Sequence, residues 1–120
     1  MTIALKRAYE APAPEDGDRF LVDRLWPRGV TKEHLKLSAW LKDLGPSTEL
    51  RRWFGHKPER WREFEARYRD ELSSKAEALS PLLAAARHGH ITLVYGAKDT
   101  EHNQAVVLKR VIEEHLKARR

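Results

Sequence analysis

The stretch "HITLVYGAKD", His90 to Asp99, decides the fold. Its first part, Ile91–Tyr95, is a run of β-branched, aliphatic and aromatic residues with no polar alternation. Such a run suits a strand covered on both faces, as in a parallel sheet. The same reading applies upstream to "RFLVDRL", Arg19–Leu25, where Phe20, Leu21 and Val22 are consecutive. "TIALKRAY", Thr2–Tyr9, reads as a short first strand, and "EAPAPEDGD" after it as an exposed loop with one helical turn.

Helices fill the intervals. Thr31 is placed to cap a short helix around Thr31–Leu35, and Leu37–Trp40 reads as a third strand or a helix. Gly45 and Pro46 end that segment, and Ser47 caps a helix carrying Leu50, Trp53 and Phe54. Pro58 suits the first turn of the next helix, in which Trp61, Phe64, Tyr68 and Leu72 form one apolar stripe. Ser80-Pro81 is expected to open a further helix, and Gly89 to stop it. Asp99 or Thr100 is expected to cap the last helix, whose buried stripe is Ala105, Leu108, Ile112 and Leu116. The closing "KARR" sets cations at a helix C-terminus, where the dipole favours them. Strands separated by helices give an α/β class: three layers, a small, mainly parallel sheet, and helices on both faces.

The 120 residues fit one compact domain spanning 1–120. Twenty-three Lys and Arg against eighteen Asp and Glu leave a net charge of +5, which favours an anionic partner. There is no cysteine, so disulfides, thiolate catalysis and zinc ribbons are excluded. The N-terminus lacks a basic region before an apolar run, and no apolar stretch approaches membrane-spanning length. A cytoplasmic location with no membrane partner is expected. No metal site is expected: H-E-x-x-H is missing, and the rings of His88 and His90 straddle a helix stop and a strand start. No cofactor is expected either, since neither a Walker-type phosphate loop nor a G-x-S-x-G turn is present.

In parallel sheets ligands bind outside the carboxyl ends of the strands. "DRLWPRG" leaves one strand and "YGAKD" leaves another, so their polar residues would share one rim. Arg24 and Arg28 can grip phosphate or carboxylate in two parallel hydrogen bonds, and Trp26 offers a stacking face. Gly29 permits close backbone approach. The plainer alternative is an ion pair between Asp23 and an arginine, with Trp26 plugging the core. In "YGAKD", Tyr95, Lys98 and Asp99 can do acid–base work if burial or neighbours shift them, or Lys98 can simply fix an anion. The plainer alternative there is a capping Asp99 beside a solvated lysine. Arg51 and His56 join the crevice if their helix folds back over it. His56, with Lys98 and Tyr95, makes up the candidate catalytic set.

The motifs "KRAYE", "DRLWPRG", "W-L-K-D-L-G-P-S-x-x-L-R-x-W-F-x-H", "W-x-x-F-x-x-x-Y" and "Y-G-A-K-D-x-x-x-N-x-A" run from about Ile3 to beyond Asn103. With them the chain resembles the YeaO-like family of uncharacterised bacterial proteins. The resemblance implies an α/β three-layer fold and no established activity. It also implies that the first strand runs parallel, which would bring Arg7 and Tyr9 to the same rim. The connection to the second strand is shorter than a parallel crossover usually needs, and an antiparallel hairpin would carry both residues to the opposite edge. Asn103, in the last matched motif, completes the ligand-binding set. Two functions follow as expectations: a crevice for a small anionic ligand, phosphorylated, nucleotide-like or carboxylated, or a nucleic-acid-binding module contacting phosphates and unpaired bases. Basic residues scattered among acidic ones speak against the second.

Overall fold

A computed structural model describes residues 2–118. The two terminal arginines of "KARR", Arg119 and Arg120, lie outside the described residues. Four strands form one sheet: β1 (Ile3–Arg7), β2 (Asp18–Leu21), β3 (Ala39–Trp40) and β4 (Ile91–Tyr95). Their order is β1-β4-β2-β3, and every pair is parallel. The helices are α1 (Lys32–Leu35), α2 (Thr48–Phe54), α3 (Trp61–Ser73), α4 (Ala76–His88) and α5 (Gln104–Ala118).

The last strand in sequence takes the centre of the sheet because all five of its residues are apolar enough to be buried from both sides. Leu93 and Tyr95 face the larger core with Phe20, Val22, Phe64, Leu108 and Ile112. Val94 faces the other way, into a smaller cluster with Leu21, Leu35 and Ala8. The sheet is therefore the middle of three layers of unequal weight. Helices α2–α5 supply side chains to the larger layer, whereas the thin one is made from α1 and the β1–β2 connection.

β1 and β2 are parallel but not adjacent, since β4 lies between them. The connection is residues 8–17, and it dispenses with an α-helix: one tight turn, Pro14–Asp16, is enough. Gly17 closes it at φ 63°, where a Cβ would lie 2.1 Å from the His90 carbonyl oxygen. Only glycine passes so close to the start of β4.

The structure shortens the expected second strand, which ends at Leu21 rather than Leu25. Val22 still donates to the Val94 carbonyl (3.0 Å), but the chain turns away at Asp23, and Leu25 is exposed. Of Leu37–Trp40, read as a strand or a helix, only Ala39–Trp40 form a strand, paired with β2. Pro81 does not open α4 but lies inside it. The helix starts earlier because Leu79 belongs to the same buried stripe as Leu82 and Ala86. Pro81 sits on the exposed side, where the missing backbone donor costs least. α5 is capped by Asn103 rather than by Asp99 or Thr100: its Oδ1 accepts the Val106 N–H at 3.2 Å. Ser47 and Thr31 cap α2 and α1 as expected, accepting from Leu50 and His34.

Candidate functional site

The carboxyl edge of the sheet is where three chain segments leave it: residues after β1, after β2 and after β4. Where β2 ends, Asp23 is the pivot. Its Oδ2 accepts the Gly96 N–H at 2.8 Å, and the Gln104 side-chain amide donates to Oδ1. Its main-chain carbonyl accepts the Trp40 indole N–H at 2.7 Å. Two glycines let the turn lie this close: a Cβ on Gly96 would stand 3.0 Å from Asp23 Oδ2, and one on Gly45 2.8 Å from the Arg24 nitrogen. Among the described residues Asp23 has no ion-pair partner. Burial pushes its carboxyl up to about 6, against the Gly96 N–H and the nearby Arg51 charge, which both favour ionisation.

The residues after Asp23 then spread along the rim. Arg24 Nε donates to the Pro46 carbonyl (2.8 Å), which fixes one side of its guanidinium. Trp26 is half-buried, donates to the Val30 carbonyl at 2.7 Å and meets Trp40 edge-on at 5.4 Å. Arg28 is exposed, and its carbonyl accepts the Tyr9 hydroxyl at 3.1 Å. From the opposite wall, α2 brings Arg51, Arg52 and Phe54. Two successive left-handed residues, Gly55 (φ 54°) and His56 (φ 56°), then turn the histidine back toward the same space.

These segments enclose a cavity of about 680 Å³. Of the residues expected from sequence, Tyr9, Arg24, Trp26, Arg28, Arg51, His56 and Asn103 line it. The other five do not. Arg7 supports the wall from behind: its Nε donates to the Ala97 carbonyl (2.9 Å), and its guanidinium lies over the Tyr9 ring at 5.2 Å. Gly29 stands apart at φ 78° with nothing within 4 Å of a built Cβ, so its role is the backbone turn rather than close approach. Tyr95 is buried in the core, and burial, with Glu10 next in weight, pushes its hydroxyl above the usual range. Asp99 folds the β4–α5 loop, accepting the N–H groups of Glu101 and His102 at 2.9 Å each. The Glu101 N–H bond, followed by those from His102, holds its carboxyl below the usual range. Lys98 is exposed, next in the chain to Ala97, which does line the cavity. Lys98, Tyr95 and His56 therefore do not share one wall.

Sequence reasoning left Arg52 on a solvated helix face, missed His102 and Gln104, and gave Asp23 only a surface ion pair. Yet Asp23 stands in the same motif as Arg24 and Arg28, and a carboxylate at the end of an apolar strand was the available signal. The lining can hold phosphate or carboxylate with guanidinium groups, stack a ring on Trp26, Tyr9 or His56, and accept hydrogen bonds at Asp23. Among the described residues no cluster of three His, Cys, Asp or Glu is placed to hold a metal ion.

Comparison with known proteins places this geometry among relatives. The chain is 42% identical over 108 residues to the uncharacterized protein YeaO of Escherichia coli, covering 90% of this chain and 94% of that one. It is 39% identical over 110 residues to the uncharacterized protein Rv3073c of Mycobacterium tuberculosis, covering 92% of each. No solved structure matches. A family model, described as the inactive DUF488-N3 subclade, matches residues 2–120. With nearly the whole chain matched by that model, and more than nine-tenths of each of these relatives covered, the protein belongs to the DUF488-N3i family.

Proposed function

We propose that the cavity binds a small anionic ligand carrying a flat ring, a nucleotide-like compound, without chemical turnover. The observation that supports this reading is the set of guanidinium groups on Arg24, Arg28, Arg51 and Arg52 around one space. Among the described residues none of them pairs with a carboxylate. Four like charges held around one concavity repel each other, and an anion relieves that repulsion. The volume falls within the roughly 300–1,000 Å³ of ordinary ligand pockets. Tyr9, Trp26 and His56 supply ring faces beside the charges. The description of the matched family as inactive favours binding over catalysis. The scattered members of the candidate acid–base set favour it too.

The test is isothermal titration of the full chain with inorganic phosphate, mononucleotides and single-stranded oligonucleotides. Saturable binding of a mononucleotide, weakened about tenfold or more by Arg51→Ala, is expected, since a charge-assisted bond is worth about 1.5–3 kcal/mol. No binding of any of these anions overturns the reading. Binding confined to oligonucleotides, with a steep loss in salt, replaces it with a nucleic-acid-binding module.

A further inference from the structure

We propose that Asp23 selects the ligand by its uncharged end, accepting two adjacent N–H groups of a heterocycle, so that the class bound is guanine-type mononucleotides. This inference rests on the anion-binding reading above and names the ligand for the same cavity.

A pocket built only for an anion has no use for a carboxylate in its wall, because that carboxylate repels the ligand and competes for the arginines. Asp23 is in the wall nonetheless. The fold holds it there with unusual care. Gly96 and Gln104 each donate to one of its oxygens, Trp40 fixes its main-chain carbonyl, and Gly45 and Gly96 are packed so closely that no side chain fits between. None of these contacts neutralises the charge, and none makes it the cap of a helix. A carboxylate offers about four acceptor positions on two oxygens. The protein donors occupy one on each oxygen, so each keeps acceptor capacity, on a residue that lines the cavity.

Two oxygens side by side fit two parallel N–H donors spaced as on an amidine edge. A cationic amidine or guanidine would meet the four arginines and be repelled. The donors must therefore be neutral and belong to a molecule that is anionic elsewhere. A guanine ring has this pattern at N1–H and the 2-amino group, and its phosphate is the anion for the arginines. An adenine edge presents an acceptor at N1 and would point it at the carboxylate.

Titration at pH 7.5 with GMP, IMP, AMP and 1-methyl-GMP tests this. GMP is expected to bind about tenfold or more tightly than AMP, since a buried group left unpaired by the wrong ligand is penalised strongly. IMP, with one donor, is expected between them. 1-Methyl-GMP, which has lost one of the paired donors and sets a methyl group against the carboxylate in its place, is expected to fall to the AMP level with the unaltered protein, so this arm does not depend on any variant folding. Asp23→Asn is expected to bring GMP and AMP within about twofold of each other. GMP and AMP binding equally, or a GMP preference that survives 1-methylation or Asp23→Asn, overturns the role of Asp23 while leaving the anion site standing. Binding of phosphate or other nucleotides but not of GMP does the same. No binding of any anion removes both readings.

Discussion

Two aspartates at the sheet meet opposite fates. Asp16, in the thin layer, is buried, and its carboxylate is saturated: Arg19 Nη1 lies at 2.7 Å, Lys6 Nζ at 3.1 Å and the Ala13 N–H at 3.0 Å. Burial alone would raise its carboxyl, but the Ala13, Lys6 and Arg19 bonds outweigh it, and the group lies below its usual range. Asp23, at the carboxyl edge, accepts only uncharged donors, and there burial prevails. Cations are abundant in both places. In the thin layer they are paired with a carboxylate, whereas around the cavity, among the described residues, they are not. Where a protein satisfies its own charges it is building structure. Where it withholds the partners, a ligand can supply them.

The contrast breaks first at Asp16. Arg19 is 3% exposed, and its remaining bond runs from Nε to the Leu35 carbonyl. Its Nη2 already lacks a partner among the described residues. Asp16→Ala removes the one carboxylate facing this guanidinium, which leaves a buried, uncompensated charge. The expected loss is about 3–5 kcal/mol, read as a lower urea midpoint with little change in slope. A loss under about 1 kcal/mol would place the Asp16 cluster with ordinary surface pairs and remove one side of the comparison.

The second effect is a pH dependence of opposite sign at the two residues. The Asp16 carboxyl is lower in the folded chain than in the unfolded one. Its contribution is therefore present above the ordinary value of 3.8 and lost as pH falls through its folded value. The Asp23 carboxyl is higher in the folded chain, about 6 against 3.8. Between those values the folded state binds the extra proton, so Asp23 makes the protein less stable as pH rises from about 4 to about 6. About two pK units correspond to roughly 3 kcal/mol. Asp16 is silent in the upper part of that window, and every other ionisable group is common to wild type and variant. The stability of wild type relative to Asp23→Asn is therefore expected to increase between pH 7 and pH 5 by about 1.3 kcal/mol. A flat difference would show that Asp23 is solvated like any surface carboxylate.

The sequence was informative wherever local pattern and burial agree. Ile91–Tyr95 and Phe20–Val22 announced central parallel strands, and Ser47, Thr31 and Gly89 announced helix ends, because these signals act over a few residues. The rim of the sheet followed from topology once the strands were known to be parallel. What could not be read was the sharing of partners across the chain. Arg19 and Arg24 stand in the same seven-residue stretch. Nothing local says that the first is buried against Asp16 while the second reaches Pro46. Asp23 looked like a surface ion-pair residue because its actual donors, Gly96 and Gln104, are more than seventy positions away. Asp99 had the composition of a helix cap, yet Asn103 took the role, since Asp99 accepts the N–H groups of Glu101 and His102 in the turn ahead of the helix. Pro81 looked like a helix start because proline suits a first helical turn, but the buried stripe that begins at Leu79 carries the helix start upstream of it.

The smallest effect expected is at Arg28, and it separates a side chain kept for a ligand from one kept for the fold. Its guanidinium is exposed and has no ion-pair or hydrogen-bond partner among the described residues. The contact that Arg28 does make, with the Tyr9 hydroxyl, goes through its main-chain carbonyl and survives any substitution. Arg28→Ala is therefore expected to change stability by less than about 0.5 kcal/mol, below the resolution of most denaturation curves. The same substitution removes one of the four charges around the cavity and is expected to weaken mononucleotide binding, with an accompanying decrease in its salt dependence. Stability lost without any change in binding would assign the Arg28 side chain to the fold, and the rim would then hold structural charges like those of the thin layer.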